Sequence, residues 1–274
     1  MQRDFLSILI SCFMYLCVGI VCSVFCIVLG FIFFRGVPYL SLDLFAFQYT
    51  SSNLSMLPAI INTFCIVLCS LLLAMPLGIF GAVFLSEYAN KKSKMLSLIT
   101  LACETLSGIP SIVYGLFGYL AFVIYFGLKI SFLSGVLTLS IMVLPLILRS
   151  SEEALKAVSD SLREASFALG ATKLRTIFCI VLPAAIPGIL TGIILSIGKI
   201  VGESAALLYT AGSVAQIAGF LESGRTLSVH MYALSSEGLH TNQAYATASV
   251  LVLFILGINL LSNFIASKLT KDTK

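Results

Sequence analysis

The stretch Ser150-Ser-Glu-Glu-Ala-Leu-Lys-Ala-Val-Ser-Asp-Ser-Leu-Arg-Glu-Ala-Ser166 is charged and helix-forming, yet it stands between apolar runs long enough to cross a bilayer. A polar helix in that position belongs at a membrane surface. Ser150-x-x-Glu153 and Ser161-x-x-Glu164 each have the form of a capping box, in which a serine hydroxyl and a later carboxylate satisfy the free amides of a first helical turn. The pattern predicts two short helices, or one continued. In the second, Leu162, Ala165 and Leu169 recur at helical spacing and Gly170 follows as a terminator. Such an apolar stripe needs a covering surface: a soluble partner, the chain's own loops, or lipid headgroups.

The surrounding composition fixes the class. Hydrophobic residues make up 59% of the 274 residues and charged residues 10%, with a mean hydropathy of +1.08. A water-soluble globule could not hide that much apolar surface, and the length allows several spans of about 20 residues each. The chain reads as an all-α polytopic membrane protein with six transmembrane helices, and nothing in it supports nucleic-acid binding. Cys12, Cys17, Cys22, Cys26, Cys65, Cys69, Cys103 and Cys179 lie in apolar segments without a Cys-x-x-Cys pair, so they read as buried small hydrophobes. His230 and His240 lie far from them and read as solvated loop residues, so no metal set is expected.

In chain order, Ser7 to Phe34 is too long for a signal-peptide core and no small-x-small cleavage site follows it, so it reads as a retained span. The second span runs from Leu57 to Phe84. The third, Leu96 to Phe126, is interrupted by Ser107-Gly108-Ile109-Pro110-Ser111, which reads either as a kink or as a brief unwinding at membrane depth. Unwound backbone is tolerated there only if buried in protein or lining a cavity. The fourth span is Ile130 to Leu148. The fifth, Ile177 to Leu208, is too long for one perpendicular helix and is expected to bend or break; Gly212 to Gln243 reads as an external loop, and Ala244 to Ile265 as the sixth span. The implied layout is 1–56, a first helix with its external loop; 57–268, a permease-like body; and 269–274, a tail.

Six spans with an inner N-terminus put Arg3, Lys91, Lys92, Lys94, Arg149, Lys156, Arg163, Lys173, Arg175, Lys268, Lys271 and Lys274 on one side, against Arg35, Lys129 and Arg225 on the other. That asymmetry places both termini and the charged segment in the cytoplasm. Within the fifth span, Lys199 and Glu203 need a reason, since a Lys or Asp at the centre of a membrane helix costs about 2.5–3.5 kcal/mol. Four residues apart, they are expected to share a helix face. Either Lys199 snorkels to the outer headgroups with Glu203 as a surface partner, or the pair serves a charged substrate.

Glu164-Ala165-Ser166, three residues, Gly170, nine residues and Ile180-x-Leu182-Pro183 resemble the EAA signature of ATP-binding-cassette importer permeases, with Ser166 in place of the second alanine. Ser107 to Gly118, Leu144 to Leu155, Gly202 to Gly212, Leu85-Ser86-Glu87-Tyr88 and Val229-His230-Met231-Tyr232 resemble the phosphate branch of that family. The resemblance implies a type I importer permease fold in which Leu162, Glu164, Ala165, Leu169 and Gly170 form a coupling helix docked on a cytoplasmic ATPase. It implies a non-enzymatic subunit of an ATP-driven phosphate importer in the bacterial inner membrane. Its partners would be membrane lipid, a homologous permease subunit, an ATPase dimer and an external phosphate-binding protein. This chain would bind no cofactor, ATP being used by the partner. Lys199, where the family usually has Arg, would offer its charge to the crossing anion, and Glu203 would hold it in place.

Sulfate and molybdate permeases are the sister alternative. A self-contained secondary transporter would ordinarily show repeated halves and more intramembrane carboxylates, and an intramembrane hydrolase would need a nucleophile, metal or paired-carboxylate set that the spans lack. Gly192 to Lys199 misses a nucleotide-binding loop by one residue of spacing, and Ile200 stands where Ser or Thr is needed.

Overall fold

Inside a bilayer each backbone amide and carbonyl must find a partner within the protein, which makes helices of the apolar runs. The computed structural model describes residues 5–89, 94–236, 238 and 240–271, and contains no strand among them. In order the helices are α1 (Phe5–Gly36), α2 (Leu57–Val83), α3 (Lys94–Ser107), α4 (Ser111–Gly118), α5 (Phe132–Lys156), α6 (Asp160–Ala168), α7 (Lys173–Thr176), α8 (Leu182–Gly202), α9 (Ala205–Thr210), α10 (Leu227–Ser236) and α11 (Thr241–Lys271). Wide π-type turns extend α2 over Phe84–Tyr88 and α4 over Tyr119–Tyr125, and join α7 to α8 over Ile177–Val181. Five spans are long and apolar enough to cross a membrane, and a sixth is added if the bent pair α3 and α4 is counted as one.

That pair bends by 101°, so the Ser107–Ser111 interruption is an unwinding and not a kink. Pro110 is extended there, at φ −58° and ψ 142°. The Tyr114 hydroxyl returns to the Leu106 carbonyl at 2.8 Å, pairing a group the break would otherwise strand.

The centre of the bundle is α5, packed between α2 and α8, with Leu139, Met142, Val143 and Ile147 fully buried. Hydroxyls tie α5 to α2: Ser70 donates to the Val136 carbonyl at 3.3 Å, and Ser140 donates to that of Ser70 at 3.2 Å. Against α8 the approach is close enough that a Cβ on Gly192 would strike the Ser150 side chain. By contrast, α1 sits at the edge against α11, where Ser249 donates to the Ile32 carbonyl at 3.2 Å and Phe31 meets Tyr245 edge-on.

Several expectations need correction. The fourth span and the first half of the charged segment form one helix, because Ser151, Glu152 and Leu155 stay buried against the core. Ser150 therefore caps nothing and donates to the Leu146 carbonyl at 2.9 Å. Ser159, not Ser161, caps α6, its hydroxyl accepting from the Ser161 amide at 3.3 Å. The 212–243 segment is not loop throughout: residues 213–222 are mostly exposed, but the part from Gly224 turns inward. It carries α10 and buries Arg225, Thr226, Leu227, Ser228, Val229 and His230, because Asn62 and Thr63 of α2 pair with its backbone. The reading of His230 as solvated falls with it.

The cysteines are not a buried set. Cys12, Cys17, Cys22, Cys26 and Cys179 are exposed, Cys65 and Cys69 half-buried, and Cys103 alone is buried, since lipid accepts an apolar thiol as readily as a protein core does. Arg3, Lys91, Lys92 and Lys274 of the charge count lie outside the described residues.

The Gly192 contact yields a paired expectation. Gly192→Val should destabilise the protein by about 1–3 kcal/mol through overpacking. Gly198→Ala, whose Cβ meets nothing within 4 Å, should be neutral or stabilise by up to about 1 kcal/mol. Thermal loss of monodisperse protein in detergent measures both.

Candidate functional site: an exposed helix face and a half-buried lysine

Ser159 and the first-turn Asp160 set the start of α6. Its end is fixed by Gly170, whose φ of +81° is left-handed. The Gly170 amide donates to the Phe167 carbonyl at 2.9 Å and the Ala171 amide to that of Ser166 at 3.1 Å, the paired bonds of a Schellman ending. Ser166, where the signature has alanine, faces inward, and its buried hydroxyl meets that of Thr176 at 2.8 Å. The departure is therefore internal and leaves the outward face alone.

On that outward face Leu162, Glu164, Ala165 and Leu169 are exposed, Leu169 by 89%. Leu169 stands clear of the chain's own described residues, whereas Leu162 is half-covered, beside a groove lined by Ala154, Val158 and Ala185. Phe167, 47% exposed, joins it, which the sequence reading missed because Phe167 falls outside the i, i+3, i+4 series from Leu162. Arg163 points the other way and is tied to Glu87 at 2.8 Å.

Lys199 lies on α8, about 25 Å along it from the α6 end. Gly202 closes α8, and Glu203 follows in extended conformation, at φ −76° and ψ 126°. The two residues therefore do not share a helix face, and no Lys199–Glu203 ion pair forms. Glu203 is 8% exposed. Its Oε1 accepts from the Ala206 amide at 3.0 Å, and its carbonyl accepts from the Ser228 hydroxyl at 2.5 Å, so it joins the break between α8 and α9 to α10. Lys199 is half-buried and has no hydrogen-bonding or ionic partner among the described residues.

The burial of a second cation, Arg225, was not visible in the sequence, which showed it only as one of three basic residues on the outer side. Arg225 is buried, with its guanidinium 4.5 Å over the Tyr49 ring, and its Nε and Nη2 have no acceptor among the described residues. The only signal was a lone Arg in a Gly/Ser-rich segment, which ordinarily means a solvated side chain. Among the described residues no group of three His, Cys, Asp or Glu is placed to hold a metal.

Five helices apolar enough to cross a membrane, a sharply bent pair that adds a sixth, and an exposed apolar face on a short polar helix define a polytopic membrane protein. The chain belongs to the family described as binding-protein-dependent transport system inner membrane component, which it matches over residues 74–274. It is 33% identical over 280 residues to the probable ABC transporter permease protein YqgI of Bacillus subtilis, covering 93% of each chain. It is 34% identical over 240 residues to the phosphate transport system permease protein PstA of Yersinia pestis, covering 85% of this chain and 81% of that one. Against PstA 1 of Mycobacterium tuberculosis it is 44% identical over 140 residues, covering 51% of this chain and 45% of the relative.

The fold is shared with a chain of a bacterial alginate ABC transporter solved with an alginate pentasaccharide-bound periplasmic protein. That match has a TM-score of 0.69 at 19% identity and covers 98% and 99% of the two chains. A chain of the inward-facing MetNI methionine transporter matches with a TM-score of 0.61 at 19% identity over 78% and 94%. The relatives are named as permease proteins, and the chain is a membrane transport subunit rather than an enzyme.

His230, on α10 outside the spans, gives the site a pH signature. Burial, and then the neighbouring Arg225 charge, push its pKa down to about 3. The folded chain holds the neutral ring while the unfolded chain takes up a proton below about pH 6.5. Stability should therefore fall as pH drops from about 6.5 towards 3, and His230→Gln should flatten that slope. Melting midpoints in detergent at pH 7 and pH 5 test this.

Proposed function

We propose that this chain is a permease subunit of an ATP-driven phosphate importer, forming half of the transmembrane path. The observation that carries the proposal is the outward face of α6, where Leu162, Phe167 and Leu169 are held in water by a helix capped at both ends. Ordered apolar side chains on a polar helix, with about half or more of their surface left open by their own chain, call for a partner surface. A cytoplasmic ATPase dimer supplies it, with Leu162, Glu164, Ala165, Leu169 and Gly170 at the contact. The sequence contains no phosphate-cradling glycine loop, so the energy comes from that partner.

The other partners are a homologous permease subunit, which completes the path, and an external phosphate-binding protein received at the outer ends of the spans. Basic residues such as Lys156, Arg163, Lys173 and Arg175 around α6 support a cytoplasmic position for this end and for both termini. Phosphate is favoured over sister oxyanions by the named relatives and by the Gly202 to Gly212 run. Lys199, unpaired at membrane depth, presents a point charge to the anion, whereas Glu203 shapes the break beside it and holds no cation.

Lys199→Ala should leave assembly intact and lower phosphate uptake by about tenfold to a hundredfold, the worth of a lost charged hydrogen bond, with Lys199→Arg retaining most of it. Wild-type uptake by Lys199→Ala would remove the anion role. Leu169→Cys in a cysteine-free background should cross-link to an ATPase during copurification. Capture of none would remove the importer reading.

A further inference from the structure

All five N–H donors of one arginine are committed beneath α6. The Arg163 side chain is 15% exposed, and its Nη2 donates to Glu87 Oε1 at 2.8 Å and to the Leu155 carbonyl at 2.9 Å. Its Nε reaches the same carboxylate oxygen at 3.2 Å, and its Nη1 donates to the Val158 carbonyl at 2.7 Å and to Asp160 Oδ1 at 3.1 Å. Leu155 and Val158 carry carbonyls at the exit of α5, where a helix leaves acceptors free and favours a cation.

Glu87, 10% exposed, sits in the wide turn that ends α2, where the Ala89 amide reaches the Phe84 carbonyl at 3.0 Å. Lys173 of α7 donates to the Glu87 carbonyl at 2.6 Å and holds its ammonium 4.6 Å above the Tyr88 ring. The carbonyls at the end of α5 hold the Arg163 guanidinium, and Arg163 of α6 and Lys173 of α7 thus converge on Glu87. From there α2 runs about 35 Å to Asn62, whose amide pairs with the backbone of Gln216, Ala218 and Arg225 in the outer segment.

We propose that Arg163 and Glu87 form a clasp through which displacement of α6 is passed into α2, and so to the outer segment at Asn62. Arg163 is then a positioning residue: its neighbours in sequence meet the ATPase while it grips the membrane bundle. The clasp rests on the importer reading and adds the route by which force on α6 enters the spans. A pair that served folding alone would set how much importer assembles and leave unchanged how much phosphate each hydrolysed ATP moves.

The test uses the full importer reconstituted in liposomes, with Glu87→Gln, Arg163→Lys and the double variant. The first keeps the side-chain shape and removes its charge; the second keeps the charge and removes the fork. Each single variant should copurify with the ATPase and hydrolyse ATP, while phosphate taken up per ATP falls about tenfold, and the double variant should fall no further. An unchanged ratio in both single variants, or losses that multiply in the double, overturns the clasp. Should Glu87→Gln yield no assembled importer, the ratio in Arg163→Lys decides by the same criterion. Failure of the unsubstituted chain to capture an ATPase would overturn the importer reading instead, so the two failures are distinct.

Discussion

No water reaches the bilayer interior to pair with a stranded amide or carbonyl, and that constraint shapes this fold more than any single contact. Two spans are interrupted, and at each interruption a side chain answers a backbone group. At the first, the Tyr114 hydroxyl meets the Leu106 carbonyl. At the second, Glu203 accepts the Ala206 amide while Ser228 donates to the Glu203 carbonyl. A buried carboxylate that looks like half of an ion pair in the sequence thus acts as a helix-starting acceptor, the role that keeps α9 folded at depth.

The same economy explains how α6 is held in place. Below the membrane α5 continues as one helix to Lys156, and Leu155 and Val158 pack with Ile177, Val181 and Ala185 in a cluster of their own. Glu152, buried on this platform, is matched by Lys156 at 2.5 Å. On it α6 is held through its inward residues, Arg163 and Ser166, leaving the apolar residues of the opposite face unspent.

The spans were legible because long apolar runs admit few alternatives in a bilayer, and the Gly108 and Pro110 interruption was legible because those residues open and close helices. The outward stripe of α6 was legible for the same reason of spacing. Ser159 and Ser161 are both able to cap, and a pattern two residues wide does not choose between them; their hydroxyls in fact touch at 2.7 Å. The Lys199 and Glu203 pairing failed because Gly202 ends α8 one residue too early for the i, i+4 rule to apply. His230 was misread as solvated, and the burial of Arg225 went unseen, because both are set by Asn62 and Thr63, far away in sequence, and local polarity carries no trace of such a contact.

The helices that follow the two interruptions, α4 and α9, also pack on each other. α4 lies against α9 so closely that a Cβ on Gly115 would stand 2.7 Å from the Ala206 Cα. The contact joins the regular turns that follow the two interruptions, while Ser107, Gly108 and Pro110 of the first interruption stay exposed on this chain. Lys199 lies on the last turn of α8, just before this junction. An unpaired ammonium facing lipid there would carry the full desolvation cost, whereas one beside unwound backbone already has polar surroundings. Lys199, half-buried and without an ionic partner among the described residues, thus stands within one turn of the Gly202–Ser204 break.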